Sequence, residues 1–138
     1  MSSLLRHQMI VSLATPPAEK GADAAMTLWE KLSTKIIAII GAGGFQSLYA
    51  RSLFIAQAQF PWLATDEVPK QTDQLFAQLK KYFESQTPVQ ASAANSLLLI
   101  TLTDILASLI GEALTTSILR SAWDSDASVL AGKGFRNE

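Results

Sequence analysis

Asp104 and Glu112 are the nearest approach this sequence makes to a catalytic pair, two carboxylates on one apolar stretch. Eight residues of helix would separate them by about 12 Å, more than the ~6.5–9.5 Å between the two acids of an inverting glycosidase. The chain has no cysteine and one histidine, His7. Thiolate chemistry, a Cys/His metal site and a Ser-His-Asp relay built on the folded core therefore lack their materials. A phosphotransfer bundle needs an exposed histidine in mid-helix, whereas His7 lies in a segment ending at Thr15-Pro16-Pro17. These residue types predict no enzyme, no metal and no cofactor.

Lys35 to Gly44 (KIIAIIGAGG) imitates the opening of a dinucleotide-binding fold, where glycines let a pyrophosphate approach N–H groups at a helix start. The fingerprint needs glycine at its sixth position, which is Gln46 here. It also needs alternating strands and helices afterwards, and the rest of the chain has helical periodicity only. Asp66 falls near the distance of a ribose-binding acid but has no second strand before it. The segment reads as a glycine-rich connection between two helices.

A polar stripe runs through the last apolar stretch. Thr101, Asp104, Ser108, Glu112 and Thr115 recur every three or four residues and share a helix face. Either that face is solvated, or the helix is central and Asp104 needs a partner, because an isolated buried carboxylate would lose its charge. Arg51, set among bulky groups in GFQSLYARSLF, is the expected partner of Asp104 or Glu112, gripping a carboxylate with two parallel hydrogen bonds. Tyr49 and Thr101 complete this candidate cluster. Asn95 and Ser96 fit either caps or interface groups. Trp29, Trp62 and Trp123 lie near element ends and fit either core filling or an aromatic interface.

Positioning these residues takes helices. Asp23 can cap a first helix to Ile40, with Leu28, Leu32 and Ile36 at helical spacing. After Gly41-Ala42-Gly43-Gly44 a second runs from about Phe45 to Gln59, stopped by Phe60-Pro61. A third, Lys70 to Glu84, places Leu75, Phe76, Leu79, Tyr82 and Phe83 on one stripe. The last spans Ala91 to Trp123, with a bend near Gly111. No internal repeat is evident. The fold class is all-α: a four- to five-helix bundle over residues 21–123, with residues 1–20 as an N-terminal arm and 124–138 as a loose C-terminal tail.

Composition narrows the function. Hydrophobic residues make up 49% and charged ones 17%, below the ~25% charge usual in soluble chains. Twelve acids against eleven bases give a net charge of −1, so the basic footprint of a nucleic-acid binder is missing. The most apolar run, Leu97 to Ile110, is 14 residues long with Asp104 inside it. A bilayer needs about 20, so no membrane span is expected. Met1 to Thr15 lacks a secretory cleavage pattern, which makes the cytoplasm the expected compartment.

Two blocks, Gly44 to Leu53 (GFQSLYARSL) and Leu109 to Thr115 (LIGEALT), resemble segments of small bacterial all-helical proteins. The resemblance implies a bacterial source and brings no activity or site residue with it. The expected function is a non-enzymatic interaction or regulatory module, a homodimer or the partner of another protein, using an apolar helix face. The rival is a bundle binding a fatty-acid-like ligand, with Arg51 and Asp104 in its pocket.

Overall fold

The computed structural model describes residues 3–13, 21–63 and 71–130. Among the described residues there are five helices, α1 (Ser3–Leu13), α2 (Gly21–Ala56), α3 (Thr72–Glu84), α4 (Pro88–Ile110) and α5 (Glu112–Leu130), with a 3-10 turn at Pro61–Leu63. No strand occurs among the described residues. Thr87 caps α4, its hydroxyl accepting from the Gln90 amide at 3.1 Å, and Pro88 stands at the first turn where its missing N–H costs nothing. Asp73 and Lys81 sit at the ends of α3 that the helix dipole favours.

Two glycines shape the molecule. Gly41 has φ 84° and ψ 163°, and Gly111 has φ 99° and ψ 151°, a region essentially reserved for glycine. At Gly41 the two halves of α2 fold back on each other. Trp29 and Tyr49 meet edge to face with ring centroids 5.6 Å apart, where twenty residues of unbroken helix would hold them about 30 Å apart. At Gly111 the expected single long helix divides into α4 and α5. Trp29 Nε1 donates to Asn95 Oδ1 at 2.7 Å, and Trp123 Nε1 donates to the adjoining Leu28 carbonyl at 3.0 Å. One belt thus ties together residues from all four helical legs.

The two hairpins bury matching positions. Before Gly41 the buried residues include Ala25, Leu28, Trp29, Leu32, Ser33 and Ile36. Seventy residues on, before Gly111, they include Asn95, Leu98, Leu99, Leu102, Thr103 and Leu106. After the glycines, Phe45, Leu48, Tyr49, Ser52 and Leu53 are matched by Thr115, Ile118, Leu119, Ala122 and Trp123. Helices α1 and α3 keep the same offset. The fold is therefore an internal pseudo-repeat, contrary to the sequence expectation. Few side chains are shared between the halves, among them Leu28/Leu98, Leu32/Leu102, Ile40/Ile110 and Gly41/Gly111. Burial pattern, rather than identity, carries the repeat.

Helix α3 fixes how the hairpins lie. Phe76, in its first half, packs on Trp29 and Phe45, while Phe83, near its end, packs on Trp62 beyond the end of α2. α3 thus runs away from the Gly41 turn, and residues 85–87 start α4 at that far end. Passing Trp29 at Asn95, α4 runs in the same direction as the first half of α2. Both glycine turns consequently lie at one end of the bundle.

Two apolar stretches have the length and hydropathy of membrane spans, Ala25–Ala56 (mean hydropathy 1.2) and Pro88–Ile110 (1.8). The first is folded in half at Gly41. In the second, Asn95 is buried against Trp29.

The N-terminal arm of the sequence reading holds a helix instead. Ser3–Leu13 packs on α4 and α5 with Arg6 and Ile10 buried. Helix α5 likewise continues past Trp123 to Leu130, into the expected tail; residues 131–138 lie outside the described residues.

Candidate functional site

The densest polar constellation forms where α1 lies across α4 and α5. Arg6 is 2% exposed and spends its guanidinium on four oxygens of three side chains. Its Nε donates to Glu112 Oε2 at 2.7 Å and NH2 to Glu112 Oε1 at 2.9 Å, the two-pronged geometry that suits a carboxylate. NH1 donates to Asp104 Oδ1 at 2.7 Å and to Thr103 Oγ1 at 2.8 Å. Asp104 Oδ1 also receives His7 Nε2 at 2.8 Å. An ionised carboxylate only accepts, so Nε2 is the protonated nitrogen of that ring.

Local structure explains the aim of each group. Glu112 opens α5, where the helix dipole favours an anion, and Thr116 donates to its Oε2 from one turn on at 3.3 Å. Thr103 lies inside the buried stripe of α4 and bonds the Leu99 carbonyl at 2.8 Å, leaving an oxygen lone pair for Arg6. Hydrogen bonds from Arg6 hold the Glu112 carboxyl below its ordinary pKa, against the opposing effect of burial. The bond to Glu112 reciprocally raises the Arg6 guanidinium. Both carboxylates are engaged by the same cation, so the arrangement clasps α1 to the hairpin. It presents no nucleophile with a base beside it.

The expected cluster therefore divides. Asp104 and Glu112 do come together, but through Arg6 rather than Arg51. Arg51 is exposed, because the second half of α2 turns Phe45, Leu48, Tyr49, Ser52 and Leu53 inward and leaves position 51 outside. Tyr49 is 1% exposed in the aromatic core against Trp29 and Phe45, and burial pushes its phenol pKa up. Thr101 is half-buried on the outer side of α4, while Asp104 and Ser108 are exposed there. Along α4 the polar stripe lies on the outer side of the helix, with α1 engaging it at Asp104, and it ends where the helix ends. Past the turn, Thr115 is buried, its hydroxyl donating to the Gly111 carbonyl at 2.8 Å.

The tryptophans are not an exposed patch. Trp29 and Trp123 are 0% and 1% exposed, and Trp62 packs edge to face against Phe60 and Phe83. Asn95 is an interior partner of Trp29 rather than a cap; its Nδ2 is buried without a hydrogen bond. Neither Arg6 nor Thr103 is named by the sequence reading, which gives His7 no partner. The one signal in the sequence is spacing: Arg6 lies one helical turn before Ile10, which does not by itself name a partner.

A cleft of about 470 Å³ opens elsewhere, lined by Met26, Thr27, Glu30, Asp73, Phe76, Ala77 and Lys80. Neither Arg51 nor Asp104 borders it. Among the described residues no three His, Asp or Glu side chains are grouped to hold a metal ion. No known protein family, no curated protein and no solved structure matches the chain.

Proposed function

We propose that this chain is a non-enzymatic interaction module that associates with further copies of itself through the end of the bundle bearing the two glycine turns. The observation that carries this reading is the surface of that end. Residues 37–44 and 107–114 contain no buried position, and Ile39, Leu109 and Leu114 are 50%, 67% and 45% exposed. Half-buried Ile37, Ile40 and Ile110 stand beside them. Segment 37–44 has no charged residue, and the one charge in 107–114, Glu112, is gripped by Arg6. Exposed aliphatic side chains grouped together without charge mark an interaction site more often than singly scattered ones do. A net charge of −1 puts little repulsion between copies.

A cytoplasmic, bacterial setting belongs to this reading and rests on the sequence alone. The fatty-acid-like alternative has less to rest on, because the cleft beside Met26 and Phe76 is bordered by neither Arg51 nor Asp104.

Sedimentation velocity across the micromolar range tests the proposal. Wild type should assemble further with concentration, and Ile39→Lys with Leu109→Lys should lose most of that assembly while keeping its helicity; a variant that assembles as wild type does removes the apolar end from the interface. A wild type that sediments as a monomer throughout defeats the self-association reading. If that monomer floats with neutral phospholipid vesicles, the apolar end serves a bilayer instead.

A further inference from the structure

We propose that α1 is an exchangeable arm: the groove between α4 and α5 takes α1 of a second copy of the chain, recognised by Arg6, as it takes the chain's own. This concerns the side of the bundle rather than its apolar end, and it does not depend on the proposal above.

Three observations support it. First, α1 packs on α4 and α5, and makes no comparable packing with α2, the helix that follows it in sequence. Its hold is on the far half of the chain, through contacts 97 to 106 residues away. Second, the pseudo-repeat already contains an exchange of this kind. The leading helix of the second half, α3, packs most on the first hairpin, and the leading helix of the first half, α1, packs on the second. Two equivalent units therefore hold each other's leading helix within one chain. Third, the sequence joining α1 to α2 includes Thr15-Pro16-Pro17, residue types that helix interiors exclude, and exchange of a terminal element between copies is a low-cost route to dimers.

The groove is specific in chemistry. Asp104, Glu112 and Thr103 converge on a single guanidinium, and Ile10, 0% exposed, enters the apolar core beside it. Eleven residues are too few for a stable helix in water, where roughly 12–15 are marginal. Helix α1 therefore holds its form by docking, and a groove in either copy offers the same docking.

Reversing the charges on each side separately provides the test. An arm-reversed chain carries Arg6→Glu; a groove-reversed chain carries Asp104→Lys and Glu112→Lys. Each alone repels its own α1 and should lose helicity. Mixed in equal amounts, with one chain isotope-labelled, the two should regain helicity and give heterodimers in native mass spectrometry, in excess over both homodimers. Association through the apolar end would instead give homodimers and heterodimers in random proportion, so the two proposals fail separately. A mixture that stays monomeric without regaining helicity overturns the exchange. All three substitutions in one chain should restore wild-type helicity; failure there overturns the role given to the charges.

Discussion

Replacing glycine at three nearby or equivalent positions should give results of opposite sign. At Gly111 the backbone is at φ 99°, and at Gly41 it is at φ 84°. A methyl group added at either would meet no heavy atom within 4 Å. Crowding is thus absent, and alanine pays only for its backbone conformation, about 1–3 kcal/mol. Unfolding entropy of ~2.1 cal/mol/K per residue gives about 0.3 kcal/mol/K for this chain, so the melting temperature should fall by roughly 3–10 °C. Straightening the chain through position 111 would relieve the strain only by pulling the Trp123 indole away from the Leu28 carbonyl and Trp29 away from Asn95. Gly43 also has open space around it but lies in helical backbone without a positive φ. There alanine should stabilise by about 0.5 kcal/mol, raising the melting temperature by roughly 2 °C. Thermal denaturation followed by circular dichroism at the helical band reads all three. A Gly111→Ala protein that melts at or above wild type, or a Gly43→Ala protein that falls as far as Gly41→Ala, would refute the assignment of the turns to these two glycines.

Trp29→Phe keeps most of the ring but removes the donor to Asn95 Oδ1, leaving both polar ends of that buried amide unpaired. A loss of about 1–3 kcal/mol is expected in urea denaturation, and adding Asn95→Leu should recover part of it rather than add to it. Acid should loosen α1: the Glu112 carboxyl titrates below its ordinary 4.5 in the folded chain, so its contribution is complete above that value. As pH falls through the depressed folded value the contribution disappears. Far-ultraviolet circular dichroism between neutral pH and strong acid should show a helicity loss that is smaller in Glu112→Gln.

The helices from α2 onward were legible because their apolar residues recur at helical spacing, and Gly41, Gly111, Pro61 and Pro88 punctuate them. What Gly111 does was less legible. The apolar pattern continues across it without a change of period, since α4 and α5 bury equivalent faces against the same neighbours, and a bend and a full reversal look alike in such a sequence. Arg51 could have been rejected from its own helix. The stripe of Phe45, Leu48, Tyr49, Ser52 and Leu53 already points position 51 outward. Arg6 was hidden for a different reason. Its helix is short, adjoins two prolines and owes its form to docking on residues about a hundred positions away, and no local periodicity encodes such a contact.

The pseudo-repeat also changes the meaning of the composition. A chain with 49% hydrophobic residues suggests either a large core or an apolar partner surface, and the two hairpins show how much goes to the core. Each hairpin leg is covered by legs of the other hairpin and by a leading helix, which consumes the leucine stripes and two of the three tryptophans. Trp29 and Trp123 also have their indole N–H groups committed inside, so neither can anchor a partner without dismantling the belt. The surplus at the turn end is aliphatic: Ile39, Leu109 and Leu114, placed where the hairpins reverse and no third layer covers them. An interface built on those residues has no indole or phenol to supply directional hydrogen bonds, so its affinity must come from area and shape. Single truncations such as Leu109→Ala should therefore weaken it gradually, whereas a charge at the same position, stranded in an apolar contact, should abolish it.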